Sequence, residues 1–212
     1  VDTIISTVEK RRTCAWYEPF ENFYDGILQV ANMQSFFKEH SAGFHTAQAK
    51  GIWKEYTESY YQMDTYYRLF HLSFQKSLET SNLLLDDLFK HVVDKVEGLY
   101  THWFLGELGN NWSDVCADEL AAYGKVLEVP QQEEFYCSRI KTSDTRVFVI
   151  ISDAMRYEVA AAMADQLRRE TQSKVSLGSM QSIFPSITKF RMAALLPHKE
   201  LTLELRNDIL NV

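Results

Sequence analysis

The chain has 212 residues, of which 22 are basic and 29 acidic, so its formal net charge is −7. With 46% hydrophobic and 24% charged residues it has the composition of a globular protein, which excludes a largely disordered chain. It has no apolar run of the ~20 residues that span a bilayer, so no membrane contact is expected, and its negative charge disfavours non-specific binding to nucleic acid.

The first part of the chain, residues 1–130, is rich in aromatic side chains and is expected to be helical. Residues 20–38 are predicted to form one helix, and 46–78 and 83–105 two antiparallel helices joined by a short turn at 80–82. In each of the last two segments, apolar residues recur three and four positions apart, which places them on one helix face. The two sets are Tyr56, Tyr60, Met63, Tyr67, Phe70 and Phe74, and Leu85, Phe89, Val92, Val96, Leu99 and Trp103.

Glycine and asparagine are expected to interrupt the helices near the end of this region. Gly106, Gly109 and Asn110 are predicted to stop the second of the two long helices, because these residue types favour helix C-termini. A further short helix is predicted to begin at Ser113 and to end before Gly124.

The composition changes after the helical region, and the polar residues 131–145 are interpreted as a linker. Residues 146–151 form a continuous, β-branched apolar run, which predicts a parallel strand buried on both faces. A helix at 155–170 and a second strand at 174–180 would complete a βαβ unit. The predicted fold class is therefore α + α/β, in which 146–212 begin a mainly parallel sheet that two strands cannot complete.

The first acidic residue after the predicted strand is Asp153. Ligands of open α/β sheets bind at the carboxyl ends of the strands, so this carboxylate is a candidate ligand for Mg²⁺, Mn²⁺ or Zn²⁺, or a nucleophile for phosphoryl transfer. The alternative is that Asp153 caps the helix that follows it. A haloacid-dehalogenase-type phosphatase would need a second acid two residues on, where Met155 stands.

A second candidate site is the segment 183–190, in which Pro185 precedes a helix predicted at 188–196. The N–H groups and the dipole at the start of a helix favour an anion. Thr188, at this start, is therefore either an N-cap or a nucleophile.

The three cysteines, Cys14, Cys116 and Cys137, form no CxxC pair, so neither a zinc ribbon nor a thioredoxin-type motif is expected. An odd number of cysteines without a signal peptide indicates a reducing compartment, and we expect a cytoplasmic protein.

Two motifs resemble a known family. The sequences VIISDAMRYEVA at 149–160 and SMQSIFPSITKFRMAALLP at 179–197, in this order, resemble the PglZ domain of bacterial BREX phage-defence systems, which belongs to the alkaline phosphatase superfamily. The resemblance is strong over about residues 140–205. The helical stretches around 63–68 and 99–105 are similar, less distinctively, to the region that precedes this domain in PglZ proteins.

The resemblance implies roles for four residues. Asp153 matches the aspartate that binds a divalent metal, and Thr188 matches the nucleophile that bridges two metal ions, Zn or Mn. Ser186 is the second candidate for the nucleophile and, with Arg156, a candidate for binding phosphate. The alternative for Arg156 is a salt bridge with Glu158.

The superfamily takes its remaining metal ligands from later strands, and the chain offers few candidates for them. His198, Glu200, Glu204 and Asp208 lie in an apparent helix or its loop, and the earlier histidines form no HxxxH or HExxH pair. We therefore expect an incomplete metal site and a chain that is inactive alone. Because the sequence begins with Val1 and not Met, we also expect a piece of a longer polypeptide.

The predicted function is thus that of a fragment of a metal-dependent phosphatase or phosphodiesterase, acting through a threonine nucleophile in phage defence. Other BREX proteins are the expected partners, and nucleic acid is a candidate partner of the parent protein. The alternative is a non-catalytic helical docking or scaffold component, in which the aromatic cluster at 16–24 forms an interface. A receiver-like domain phosphorylated at Asp153 is a weaker interpretation, because Glu133 and Glu134 are poorly placed as its acidic pair.

Overall fold

The computed structural model describes residues 1–80, 86–206 and 209–211, with side chains described outside 80–89 and 206–212. The chain divides into two compact units. Unit 1 comprises Val1–Ala47 and Glu55–Asp114, and unit 2 comprises Gln48–Lys54 and Val115–Val212. None of the described helices is both long and apolar enough to cross a membrane.

Helices account for most of the regular structure among the described residues. The α-helices are α1 (Asp2–Arg11), α2 (Glu21–Glu39), α3 (Ala49–Glu55), α4 (Tyr61–Thr80), α5 (Asp86–Glu97), α6 (Gly106–Tyr123), α7 (Tyr157–Glu170) and α8 (Thr188–Ala194). Short 3₁₀ turns lie at Glu18–Phe20 and Gln132–Glu134, and π-helical turns at Tyr56–Tyr60, Gly98–Leu105 and Tyr136–Ile140.

The helix predicted at 20–38 is confirmed as α2, and the one predicted at 46–78 as the continuous helical run from α3 to α4. The turn expected at 80–82 falls mostly on residues 81–85, which lie outside the described residues. The stop expected at Gly106, Gly109 and Asn110 is wrong, as is the separate helix expected to start at Ser113. Helical structure continues through all four residues to Tyr123.

The physical reason for this continuation is the conformation of the glycine backbone. Gly106 has φ −64° and ψ −56°, which are helical values, and a glycine inside a helix costs only about 1 kcal/mol. The left-handed conformation that commonly ends a helix occurs later, at Gly124, where φ is +67°. The predicted stop at Gly124 is therefore confirmed.

The core of unit 1 is formed where α2, α4 and the run from α5 into the π-helical turn pack together. The predicted apolar faces point into this core, except that Leu85 and Phe89 lie outside the described side chains. α2 packs along α4, and this packing buries both helices against the π-helical turn Gly98–Leu105. The buried core residues are Met33, Phe36, Phe44, Tyr60, Met63, Phe70, Val96, Tyr100 and Phe104.

A buried carboxylate joins the two long helical runs. Asp64, which is 2% exposed, accepts hydrogen bonds from the hydroxyls of Tyr56 at 2.8 Å and Tyr100 at 2.5 Å. One helical turn on, the Tyr67 hydroxyl donates to Glu97 at 2.9 Å. Asp64 pairs with Tyr100, and Tyr67, which is later in the chain, pairs with the earlier residue Glu97. The two helical runs are therefore antiparallel, as predicted. Tyr56 and Tyr67, which were counted as apolar residues in the sequence pattern, thus also form hydrogen bonds through their hydroxyls.

Unit 2 contains α7 and α8, which confirm the helices predicted at 155–170 and 188–196. The βαβ unit predicted around α7 is not formed among the described residues. The segments 146–151 and 174–180 have no regular secondary structure. The described strands are instead β1 (Glu204–Arg206) and β2 (Ile209–Asn211), which form an antiparallel pair.

The missing strand pairing explains this difference. A parallel strand is stabilised by hydrogen bonds to neighbouring strands, and within the described residues no strand pairs with 146–151. Its apolar side chains are accordingly exposed, with Phe148 at 81% and Ile150 at 93%. The isolated parallel bridge in unit 2 joins Gln131 to Gln181. The domain limits predicted at 130 and 145 remain predictions.

We expect Cys116 to be the least reactive of the three thiols. All three cysteines are free, but Cys116 is fully buried in α6, whereas Cys137 is exposed and Cys14 half-buried. Burial raises the pKa of Cys116 to about 11. A higher pKa means less thiolate, so at about pH 8 the thiolate fraction of Cys116 falls roughly a hundredfold below that of a thiol of ordinary pKa.

Titration with a chromogenic disulfide reagent measures this difference. We expect two thiols to react in the folded chain and the third after unfolding in guanidinium. A Cys116→Ala variant, the control, should lose the slow thiol alone. Equal reaction rates for all thiols of the folded chain would contradict the burial of Cys116.

Candidate functional site

Asp153 lies in a tight turn between the apolar segment 146–151 and α7. Its Oδ1 atom accepts a hydrogen bond from the N–H of Ala154 at 3.0 Å. Ala154 has φ +57°, a left-handed conformation that non-glycine residues rarely adopt and that is enriched at functional sites. The residue at the N-cap of α7 is Arg156, without a side-chain capping bond, so Asp153 does not cap this helix.

Thr188 is the first residue of α8. The N-cap position is taken by Ile187, and no side chain forms a capping hydrogen bond there. The turn before the helix is held by the N–H of Ile187, which donates to the carbonyl of Pro185 at 2.8 Å. Thr188 and Ser186 are both exposed. The structure therefore does not support the alternative role of Thr188 as an N-cap.

Arg191 brings the two motifs together. Its Nη2 atom lies 3.5 Å from Oδ1 of Asp153. Residues three apart are neighbours on a helix surface, so Arg191 and Thr188 lie on adjoining turns of one side of α8. Arg191 was not among the residues predicted from the sequence, although its spacing of three from Thr188 was a signal for it.

Arg156 pairs with Glu158, as the alternative for this residue predicted. Nε of Arg156 lies 3.2 Å from Oε1 of Glu158. Arg156 is about half exposed, but the carboxylate of Glu158 is fully buried. The pair is therefore not the solvated surface salt bridge that was expected from the sequence. Because the Glu158 carboxylate is buried, it positions Arg156 more firmly than an exposed partner would.

The described residues do not by themselves fit the two-metal site that the family resemblance implies. Among them, no group of three or more histidine, cysteine, aspartate and glutamate side chains could hold a metal ion. The carboxylate of Asp153 faces a guanidinium group, and a single carboxylate in an ion pair lacks the ligand set of a divalent cation. His198 and Glu200 are exposed, and Asp208 lies outside the described residues.

Comparisons with known proteins support the resemblance of the two motifs. The family described as "BREX system PglZ alkaline phosphatase-like domain" matches residues 137–211. The chain is 32% identical over 201 residues to alkaline phosphatase-like protein PglZ of Bacillus cereus (strain H3081.97). It is 32% identical over 204 residues to alkaline phosphatase-like protein BrxZ of Escherichia coli O9:H4 (strain HS).

Each alignment with these relatives covers 93% of the chain and 23% of the relative. The chain thus spans about a quarter of the length of the curated relatives it matches. The alignments include the helical residues that precede the matched domain, so the similarity is not confined to the two motifs. No solved structure matches the chain.

Proposed function

Because residues 137–211 match the PglZ alkaline phosphatase-like family of BREX systems, we propose that the chain is part of a metal-dependent phosphoric ester hydrolase that acts in phage defence. The observation that supports this proposal most is the contact between Arg191 and Asp153. It brings the candidate metal ligand beside the helix that begins with the candidate nucleophile, Thr188. Asp153 and Arg191 are 38 positions apart in the sequence, and α7 lies between them.

The reaction that we propose is attack by the Thr188 hydroxyl on phosphorus. The hydroxyl gives its proton to solvent and a bond forms between its oxygen and phosphorus. The bond from phosphorus to the leaving oxygen breaks, and that oxygen takes up a proton from solvent. Water then cleaves the phosphothreonine and restores the hydroxyl. Ser186 and Arg156 are exposed near the starts of α8 and α7 and are the proposed contacts to the phosphate oxygens.

We also propose that Asp153 and Thr188 bind Zn²⁺ or Mn²⁺ in a protein of the relatives' full length that contains this chain. This binding requires Asp153 to exchange its contact with Arg191 for the ion. Among the described residues no group of three or more histidine, cysteine, aspartate and glutamate side chains could hold a metal ion, so we propose that the chain alone is inactive.

A hydrolysis assay tests the proposal. A protein of the relatives' full length that contains this chain is given a phosphomonoester and a phosphodiester with Zn²⁺, Mn²⁺ or EDTA. We expect turnover that depends on the metal and is abolished by EDTA. Absence of turnover with every metal and both substrates would contradict a hydrolase.

The second candidate function is a docking component for other BREX proteins. Its support is that the aromatic cluster before and within α2 keeps two large side chains exposed, Trp16 at 48% and Phe20 at 44%. Trp16 also stacks obliquely on Tyr24, with ring centroids 6.1 Å apart. Exposed aromatic residues of this kind are frequent anchors in protein interfaces. A full-length protein without turnover would favour this function.

A further inference from the structure

Unit 2 contains a polar cavity directly before the turn that leads to Thr188. Its volume is about 200 Å³. Two stretches of the chain form its walls, and two backbone hydrogen bonds join them. The N–H of Gln132 donates to the carbonyl of Gln181 at 2.9 Å, and the N–H of Gln181 donates to the carbonyl of Pro130 at 2.7 Å. The residues of the wall that carry the argument are Tyr123, Lys125, Glu133, Gln181, Ser182 and Phe184.

The amide group of Gln181 has a fixed orientation and an unused donor. Its Oε1 atom accepts a hydrogen bond from the N–H of Val126 at 3.0 Å, which decides which end of the amide is oxygen. Gln181 is 5% exposed, and its Nε2 atom has no hydrogen-bond partner. A buried donor without a partner is rare in folded proteins. The side chain lines the cavity, so an acceptor atom on a small ligand there would satisfy the donor after a slight adjustment.

The other polar groups of the cavity select the ligand. Nζ of Lys125 donates to Oε1 of Glu133 at 2.6 Å, so a cation and an anion stand side by side. This arrangement offers donors and an acceptor together, and the carboxylate disfavours a free anion such as phosphate. A neutral group that carries both acceptors and donors is the complementary ligand.

Two aromatic rings add a preference for a planar ligand. Tyr123 is 62% exposed and Phe184 50% exposed, and both line the cavity. Planar heterocycles stack on such rings. A cavity of about 200 Å³ has room for one ring system and not for a peptide or a duplex.

We propose that this cavity binds the base of a nucleoside, so that the substrates of the proposed hydrolase are nucleoside phosphoric esters. Phe184 is four residues before Thr188, so their Cα atoms are at most about 14 Å apart. This is a span that the sugar of a nucleotide can help to bridge. The inference names the substrate class of the proposed function and therefore rests on it. The net charge of −7 favours a mononucleoside over a polyanionic strand.

Calorimetric titration of the chain with adenosine, guanosine, cytidine and uridine tests the cavity without any phosphate chemistry. Gln181→Glu keeps the oxygen that faces Val126 and removes the unused donor, and we expect about tenfold weaker binding. Phe184→Ala removes a ring that is half exposed, so we expect the variant to fold and to bind about tenfold more weakly. Gln166→Glu makes the same change on the exposed face of α7 and should bind like the wild type.

The outcomes separate the cavity from the hydrolase. If no nucleoside binds to the chain, shown folded by circular dichroism, or if both cavity variants bind like the wild type, the inference is wrong. Turnover by the full-length protein together with that result would leave the proposed function standing. Nucleoside binding without turnover would support the cavity and remove the hydrolase. Tighter binding of a short single-stranded oligonucleotide than of any nucleoside would overturn the choice of a free nucleoside.

Discussion

Replacing Thr188 by alanine is expected to lower kcat/KM of the full-length protein for a phosphoric ester by about 10³-fold or more. The change removes the hydroxyl that we propose as nucleophile, and without it no phosphothreonine can form. Thr188 is exposed and opens α8 without a capping bond, so the substitution removes no described hydrogen bond of the helix start. A loss of this size would therefore report chemistry and not unfolding.

Two further variants make this result specific. Thr188→Ser keeps a hydroxyl at the same position and should retain activity within about tenfold. Thr171→Ala removes another exposed threonine hydroxyl, which donates to the carbonyl of Leu167 at the end of α7, and should leave the rate unchanged. If Thr188→Ala stays active while Ser186→Ala is inactive, Ser186 and not Thr188 is the nucleophile. Rapid quenching with radiolabelled substrate would detect the phosphothreonine directly.

The sequence pointed to two residues of the candidate site, Asp153 and Thr188, but not to Arg191 or to the contacts between them. Asp153 was singled out as the first acidic residue after a predicted strand, and Thr188 as the hydroxyl residue that opens a predicted helix. The structure places them in the turn before α7 and at the start of α8, and their roles stay predictions. The contact of Asp153 with Arg191 depends on how α8 packs, which spacing does not encode. The burial of Glu158 likewise depends on packing, and the sequence treated it as a surface partner of Arg156.

The fold shows the same division between local and non-local information. Repeats of three and four residues predicted which sides of α4 and α5 enter the core, because helix periodicity is local. The glycine stop at Gly106 was wrong, because packing of a long helix outweighs the weak propensity of one glycine. The strand at 146–151 was wrong for a different reason, since a strand is defined by a partner elsewhere in the chain. The hydrophobicity of residues 146–151 predicted a buried strand, but it does not determine whether these side chains are buried or exposed.

Phe104→Ala is expected to be among the most destabilising substitutions in unit 1, with a loss of about 3–5 kcal/mol in the free energy of unfolding. Phe104 is fully buried in the core, and its ring centroid lies 5.8 Å from those of both Phe36 and Tyr100. Alanine would leave a cavity among these rings and remove their edge contacts. Domains have about 5–15 kcal/mol of stability in total, so this loss would be a large share.

Leu105→Ala is the matched control for the core prediction. Leu105 is the next residue of the same π-helical turn, but it is 44% exposed, so its truncation should lower the free energy of unfolding by no more than about 1 kcal/mol. Urea unfolding followed by circular dichroism measures both variants. Similar losses for the two would show that the exposed and buried sides of this turn are assigned wrongly. A large difference would establish that the closed aromatic core of unit 1, and not the helical propensity of the turn, holds this region together.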